Sequence, residues 1–210
     1  GGNGNYAIST DGGTLYGAYG DYSLVLNINQ NYDIVVKDIN GCLSQTYPIS
    51  IDPSLVIDDV TFNVCYGVGD TDETISVNVS GGTADYLIST DNGVSFGLSG
   101  VYSALLPINT SYQIVAQDTK GCLSEAYAIV LPDVFAASAT ITSNYNGEDI
   151  SCNGFTDGEA TATASGGTGV YSYLWNDGTI TPMNGGLSAT SYSVTVEDAA
   201  GCQIVDNVTL

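Results

Sequence analysis

Apolar and polar residues alternate along most of this chain, in short runs broken by Gly, Asn, Asp and Pro. Tyr6-Ala7-Ile8-Ser9, Tyr32-Asp33-Ile34-Val35-Val36, Ile75-Ser76-Val77-Asn78-Val79, Tyr112-Gln113-Ile114-Val115-Ala116 and Tyr192-Ser193-Val194-Thr195-Val196 all carry a period of two. Such a run places successive side chains on opposite faces and predicts a half-buried strand. Further strands are expected over residues 22–26, 43–51, 55–57, 60–65, 86–89, 101–106, 123–131, 135–142, 159–165 and 171–175. No stretch has the periodicity of a helix. Short strands separated by frequent turn signals predict an all-β fold of immunoglobulin-like β-sandwiches in a linear tandem array.

One turn organises the pattern. Asp38-Ile39-Asn40-Gly41-Cys42, Asp118-Thr119-Lys120-Gly121-Cys122 and Asp198-Ala199-Ala200-Gly201-Cys202 each lie between two alternating runs, with their cysteines 80 residues apart. Asp can accept from the backbone two residues on, and Gly takes a positive φ without a Cβ clash, so the motif predicts a hairpin. A second landmark precedes it in each copy: Gly1-Gly2, Gly81-Gly82 and Gly166-Gly167. The repeats are therefore residues 1–52, which hold only the C-terminal part of a first repeat, then 53–132 and 133–210. Pro53 and Pro132 mark the joins, because proline cannot donate a ladder hydrogen bond. A chain that opens inside a Gly-Gly landmark, without an initiator methionine, is expected to be a fragment of something longer.

Charge narrows the functional classes. The chain holds 23 acidic residues against 2 basic ones, and no histidine. A surface of that sign repels phosphate backbones and anionic headgroups, so nucleic-acid and membrane-surface binding are not expected. Without histidine, Ser-His-Asp and Cys-His catalysis and His-ligated zinc are unavailable, and no enzyme activity is expected. Acidic side chains suit calcium, which takes several oxygen ligands. The candidate ligands are Asp70, Asp72 and Glu73 on one loop, and Asp52, Asp58 and Asp59 near the first join. The plainer reading of both groups is a solvated acidic loop. No cofactor is required, and a structural calcium ion is the one candidate.

Five cysteines at repeated positions point to disulfides and to an oxidising, exported setting. The pairing stays open. Within repeats, Cys65 would join Cys122 and Cys152 would join Cys202, leaving Cys42 without its partner. If the strand count follows the immunoglobulin pattern, those positions lie at opposite poles, whereas a disulfide needs Cα atoms within about 7 Å; the short connection from Thr179 to Leu187 in the third repeat is able to change that parity. The other pairing is a staple between neighbouring repeats, Cys65 to Cys202. Trp175, on the third strand of its repeat, is expected in the core. Tyr32, Tyr112 and Tyr192 open their strands as tyrosine-corner residues would.

The third repeat carries a more specific signature. Ser151-Cys152-Asn153-Gly154, Asp157-Gly158, Ser165-Gly166-Gly167-Thr168, Tyr171-Ser172-Tyr173-Leu174-Trp175 and the run from Ser191 to Cys202 resemble the SprB-type repeat of Bacteroidetes gliding and cell-surface adhesins. The match covers residues 150–210, and the first two repeats share fewer of its landmarks. The resemblance implies a very long secreted polypeptide of tandem sandwiches at the cell surface, exported by type IX secretion and serving attachment or gliding. Its partners would be neighbouring repeats, with surface polysaccharide or other surface proteins as further candidates. Two other readings stay open: a carbohydrate-binding accessory region of a secreted enzyme, and a passive structural filament.

Overall fold

A computed structural model describes residues 4–20, 22–97 and 99–210; the Gly1-Gly2 landmark lies outside the described residues. Every regular element among them is a strand. In chain order these are β1 (Tyr6–Ser9), β2 (Gln30–Asp38), β3 (Tyr47–Ile51), β4 (Val56–Thr61), β5 (Asp72–Ser80), β6 (Leu87–Ser89), β7 (Ser103–Pro107), β8 (Thr110–Gln117), β9 (Tyr127–Leu131), β10 (Asp133–Ile141), β11 (Gly158–Gly167), β12 (Ser172–Trp175), β13 (Met183–Leu187), β14 (Ser191–Glu197) and β15 (Gln203–Thr209). They form small antiparallel sheets ordered β1-β2-β3, β4-β5-β7, β6-β8-β9, β10-β11-β13 and β12-β14-β15.

The sheet orders share one logic. In the second and third repeats the first, second and fourth strands form one sheet, and the third, fifth and sixth form the other. That partition is the one an immunoglobulin-like sandwich uses. The first repeat shows only its last sheet. Its predicted strand over 22–26 does not form, and those residues carry no regular structure. The physical reason lies in pairing. The corresponding strand of the second repeat, β7, is held by β5 through Thr74 opposite Leu105 and Ile75 opposite Ala104. The described residues among 4–52 include no counterpart of β5, and an unpaired strand in water is not stable.

Two compact units can be distinguished. One comprises Gly1–Asp59, Asn78–Tyr102 and Ile114–Tyr127, and the other Val60–Val77, Ser103–Gln113 and Ala128–Leu210. The units follow packing and the repeats follow sequence, so the residues of the second repeat are distributed over both. In the first unit Ala7, Val35, Leu55, Ile57, Ile88, Val115 and Ala116 are buried. In the second, β10-β11-β13 and β12-β14-β15 close over Phe135, Ala160, Ala162, Trp175, Leu187, Val194, Val196 and Val208. These come from alternate positions of their strands, as a two-layer core requires. Trp175 is 1% exposed and donates its indole N–H to Thr181 O at 3.0 Å, so its polar edge is satisfied inside the core.

The tyrosine corners also form. The Tyr112 hydroxyl donates to Pro107 O at 2.9 Å. The Tyr32 hydroxyl accepts from the Asn27 N–H at 2.8 Å, and that of Tyr192 accepts from the Ser188 N–H at 3.1 Å.

Candidate functional site

The repeated hairpin is a polar lock, best seen in the third repeat. Gly201 takes φ +84° and donates its N–H to Asp198 O at 3.1 Å, while Asp198 N–H donates to Cys202 O at 3.0 Å. Asp198 is only 4% exposed. Its Oδ1 accepts from the N–H groups of Ala200 at 2.9 Å and Cys202 at 3.0 Å. Its Oδ2 accepts from the Thr168 N–H at 2.8 Å and the Thr168 hydroxyl at 3.0 Å. Burial alone pushes this carboxyl up, but the donors from Thr168, Cys202 and Ala200 outweigh it and hold the group below its ordinary value. A buried carboxylate with four donors is a satisfied one.

Thr168 follows Gly166-Gly167, so one carboxylate ties the two sequence landmarks together. The glycines are required by close approach. A Cβ on Gly166, at φ +70°, would stand 1.8 Å from Val134 O. A Cβ on Gly167 would meet Asp198 Oδ2 at 2.5 Å. Tyr171 closes the arrangement by donating its hydroxyl to Gly166 O at 2.7 Å.

The second repeat builds the same lock inside the first unit. Asp118 Oδ1 accepts from the N–H groups of Lys120 and Cys122, each at 2.9 Å, and Oδ2 accepts from the Thr83 N–H at 3.0 Å. Burial pushes the Asp118 carboxyl up, and the backbone donors with the Lys120 charge bring it net below its ordinary value. A Cβ on Gly81 would stand 1.8 Å from Ser54 O, and Tyr86 donates its hydroxyl to Gly81 O at 2.7 Å. In the first repeat Asp38 Oδ1 accepts from the N–H groups of Asn40 at 3.0 Å and Cys42 at 2.9 Å.

What differs is the cysteine. Cys202 is 6% exposed and bonded to Cys65, with 5.5 Å between Cα atoms and 137 residues between them in sequence. The pairings within repeats are thereby corrected: Cys122 and Cys152 are exposed free thiols, as is Cys42. The reason is the segment after β4. Residues 62–65 do not continue as a paired strand; they leave their own sheet and lie against the third repeat. Phe135 N–H donates to Tyr66 O at 3.0 Å, and Val64 packs on the Phe135–Trp175 core. This is strand addition in miniature, with a backbone bond beside an apolar anchor.

Five of the six candidate calcium ligands accept hydrogen bonds within the chain. Asp70 Oδ2 accepts from the Gly67 N–H at 2.7 Å, and Glu73 Oε1 accepts from the Asn63 N–H at 3.2 Å. Both therefore brace the loop that presents Cys65. The Tyr66 hydroxyl, which bonds Asn63 O, is pushed up to about 12 by burial and then by the charges of Glu73 and Asp70. Asp72 accepts from the Thr71 hydroxyl at 2.7 Å, and Asp58 from the Ser80 hydroxyl at 2.8 Å. Asp52 accepts from Lys120 Nζ and from the Thr83 hydroxyl, and Asp59 is exposed. Among the described residues no three acidic, cysteine or histidine side chains gather where they could hold a metal ion. The loop-bracing role was missed from sequence, because Asp70 reaches back to a backbone N–H three residues before it, a local bond that acidity alone does not reveal.

Among curated proteins, none matches the sequence. Similar solved structures include one from a study of host cell surface retention of a 1.5-MDa bacterial ice-binding adhesin, at 16% identity over 98% of this chain and 84% of that one, with a TM-score of 0.24. Another is SGBP-B of the Bacteroides ovatus mixed-linkage glucan utilization locus, in complex with a mixed-linkage heptasaccharide, at 14% identity over 97% of this chain and 59% of that one, with a TM-score of 0.22. Superposition this loose says nothing about binding or assembly in this chain. The sequence comparison is more specific, and it falls on the repeat that holds Cys152 and Trp175: residues 144–180 match the SprB repeat family.

Proposed function

We propose that this chain is a run of repeat modules from a large cell-surface adhesin, acting in tandem as a stiff, covalently braced stalk for attachment or gliding. The observation that carries this reading is the SprB-repeat match over residues 144–180. The disulfide between neighbouring repeats fits a mechanical role, because a crosslink spanning 137 residues removes most of the extension that pulling could otherwise release. The net charge of −21 keeps such an array soluble and its surfaces mutually repelling. In this reading the modules are non-catalytic, act outside the cell, and leave by type IX secretion. Their immediate partners are the adjoining repeats.

The test is the mass of the native parent polypeptide. A giant chain with many copies of the Asp-x-x-Gly-Cys peptide supports the stalk. A small parent with a catalytic domain attached, together with saturable binding of this region to one glycan, would replace it with a carbohydrate-binding accessory role.

A further inference from the structure

We propose that the groove beside Cys122 is a receiving site for an extended cysteine-bearing segment of the kind formed by Val64-Cys65-Tyr66, supplied by a preceding repeat of the same polypeptide, and that Cys122 forms the disulfide to it. Two independent observations meet here. The first is chemical equivalence. Cys122 and Cys202 end the same hairpin, with Asp N–H to Cys O at 3.0 Å in both and Cys N–H to Asp Oδ1 at 2.9 Å and 3.0 Å. One of these sulfurs is bonded and the other is free.

The second is an open space where the bonded copy is filled. In the third repeat Val64-Cys65-Tyr66 lies against Phe135 and Cys202, with the Gly-Gly turn and Asp198 beneath. In the second repeat Ser54 and Leu55 take the places of Val134 and Phe135, as their approaches to Gly81 and Gly82 show. There Leu55, Gly82, Asp118 and Cys122 line a groove of about 610 Å³, with Lys120 and Asp52 also on its walls. The buried and satisfied Asp118 makes this a built site with a fixed floor. Its occupant is defined by the filled copy: a short extended segment that offers an apolar side chain, a cysteine and a backbone carbonyl. The order is set as well, because the bonded pair runs from an earlier repeat to the hairpin of the next.

Bond formation needs an oxidant, here a thiol–disulfide oxidant. The incoming cysteine is carried as a mixed disulfide, and the Cys122 thiolate attacks its sulfur. The new S–S bond forms, the bond to the oxidant breaks, and the oxidant's sulfur leaves as a thiolate that takes a proton. Over the whole process two thiols lose two protons and two electrons, and the oxidant's disulfide is reduced to two thiols.

The experiment uses the full 210-residue chain and the peptide Asn-Val-Cys-Tyr-Gly, its cysteine activated as a 2-thiopyridyl mixed disulfide. Peptide mapping identifies the thiol modified, and released pyridine-2-thione gives the rate. Cys122 should react about tenfold faster than Cys42 or Cys152, the ratio that a docking preference of about 1.4 kcal/mol gives. The reversed peptide should lose that preference. Cys42 is the internal control, since it ends the same hairpin while its repeat has no described counterpart of Ser54 and Leu55. Equal rates at the three thiols, or equal rates with both peptides, would overturn the site. Non-reducing electrophoresis reads the source: the chain alone should stay monomeric under oxidation, and a Cys122–Cys152 linked dimer would overturn the choice of occupant. None of these outcomes depends on the adhesive reading.

Discussion

Cys122 and Cys202 end the same turn and differ in what lies across from it. Both hairpins have a buried Asp, a left-handed Gly and a Gly-Gly turn drawn in by the same carboxylate. Yet Cys202 is buried and bonded, while Cys122 is exposed at the edge of a groove. The turn presents a thiol, and a docked segment turns that thiol into a crosslink. The hairpin is thus a property of each repeat, and the disulfide is a property of two.

This comparison can be broken most forcefully at the glycines. Gly166→Ala and Gly81→Ala each force a Cβ to 1.8 Å from a carbonyl oxygen at a positive φ. Each should cost about 4 kcal/mol, the range of severe overpacking and backbone strain. Urea unfolding followed by Trp175 fluorescence reads the first, and hydrogen exchange of β6 and β8 reads the second. If only one of the two destabilises its surroundings, the locks are not equivalent.

The cysteines should then separate the two sites. Cys202→Ser should lower stability by about 3 kcal/mol through loss of the long crosslink. Cys122→Ser should change it by less than about 0.5 kcal/mol, as an exposed substitution does. Urea midpoints with and without reductant check both, and reductant should erase the difference.

The carboxylates should behave alike again. Asp198→Asn and Asp118→Asn should each cost about 2 kcal/mol, because a neutral amide accepts less strongly from buried N–H donors. The pH dependence has a definite sign. Both carboxyls are held below their ordinary value of 3.8, so their contribution is complete above that pH and is lost as pH falls through the lowered folded values. Acid unfolding monitored by Trp175 should shift to higher pH in the reduced Cys202→Ser protein, which has less stability to lose. Smallest of all, Tyr171→Phe and Tyr86→Phe should each cost about 1 kcal/mol, the worth of one hydroxyl bond to a glycine carbonyl.

Much of the fold was legible because it is written locally. Ile75 and Val77 alternate with polar residues and both are buried in β5, and Trp175 sits in the core as its strand position predicted. The hairpin followed from an Asp and a Gly at fixed spacing. Where reading failed, the deciding partner was remote in sequence. Residues 22–26 have strand chemistry but no counterpart of β5 among the described residues of 4–52 to pair with. Cys65 looked better suited to Cys122, in its own repeat, than to Cys202, because nothing in its own sequence says that residues 62–65 leave their sheet. The bond between the Gly-Gly-Thr turn and the hairpin Asp was also hidden, although the two landmarks recur together in both full repeats. That Asp70 and Glu73 brace their own loop was hidden too, since acidity is visible in sequence and the backbone donors they serve are not.

The most direct test of the central claim is a non-reducing peptide map of the chain, with free thiols blocked before digestion. The account predicts one crosslinked pair, the peptide holding Cys65 joined to the peptide holding Cys202, with Cys42, Cys122 and Cys152 all blocked as thiols. A map joining Cys65 to Cys122, or Cys152 to Cys202, would contradict it, because the disulfide would then belong to single repeats and not to the contact between two.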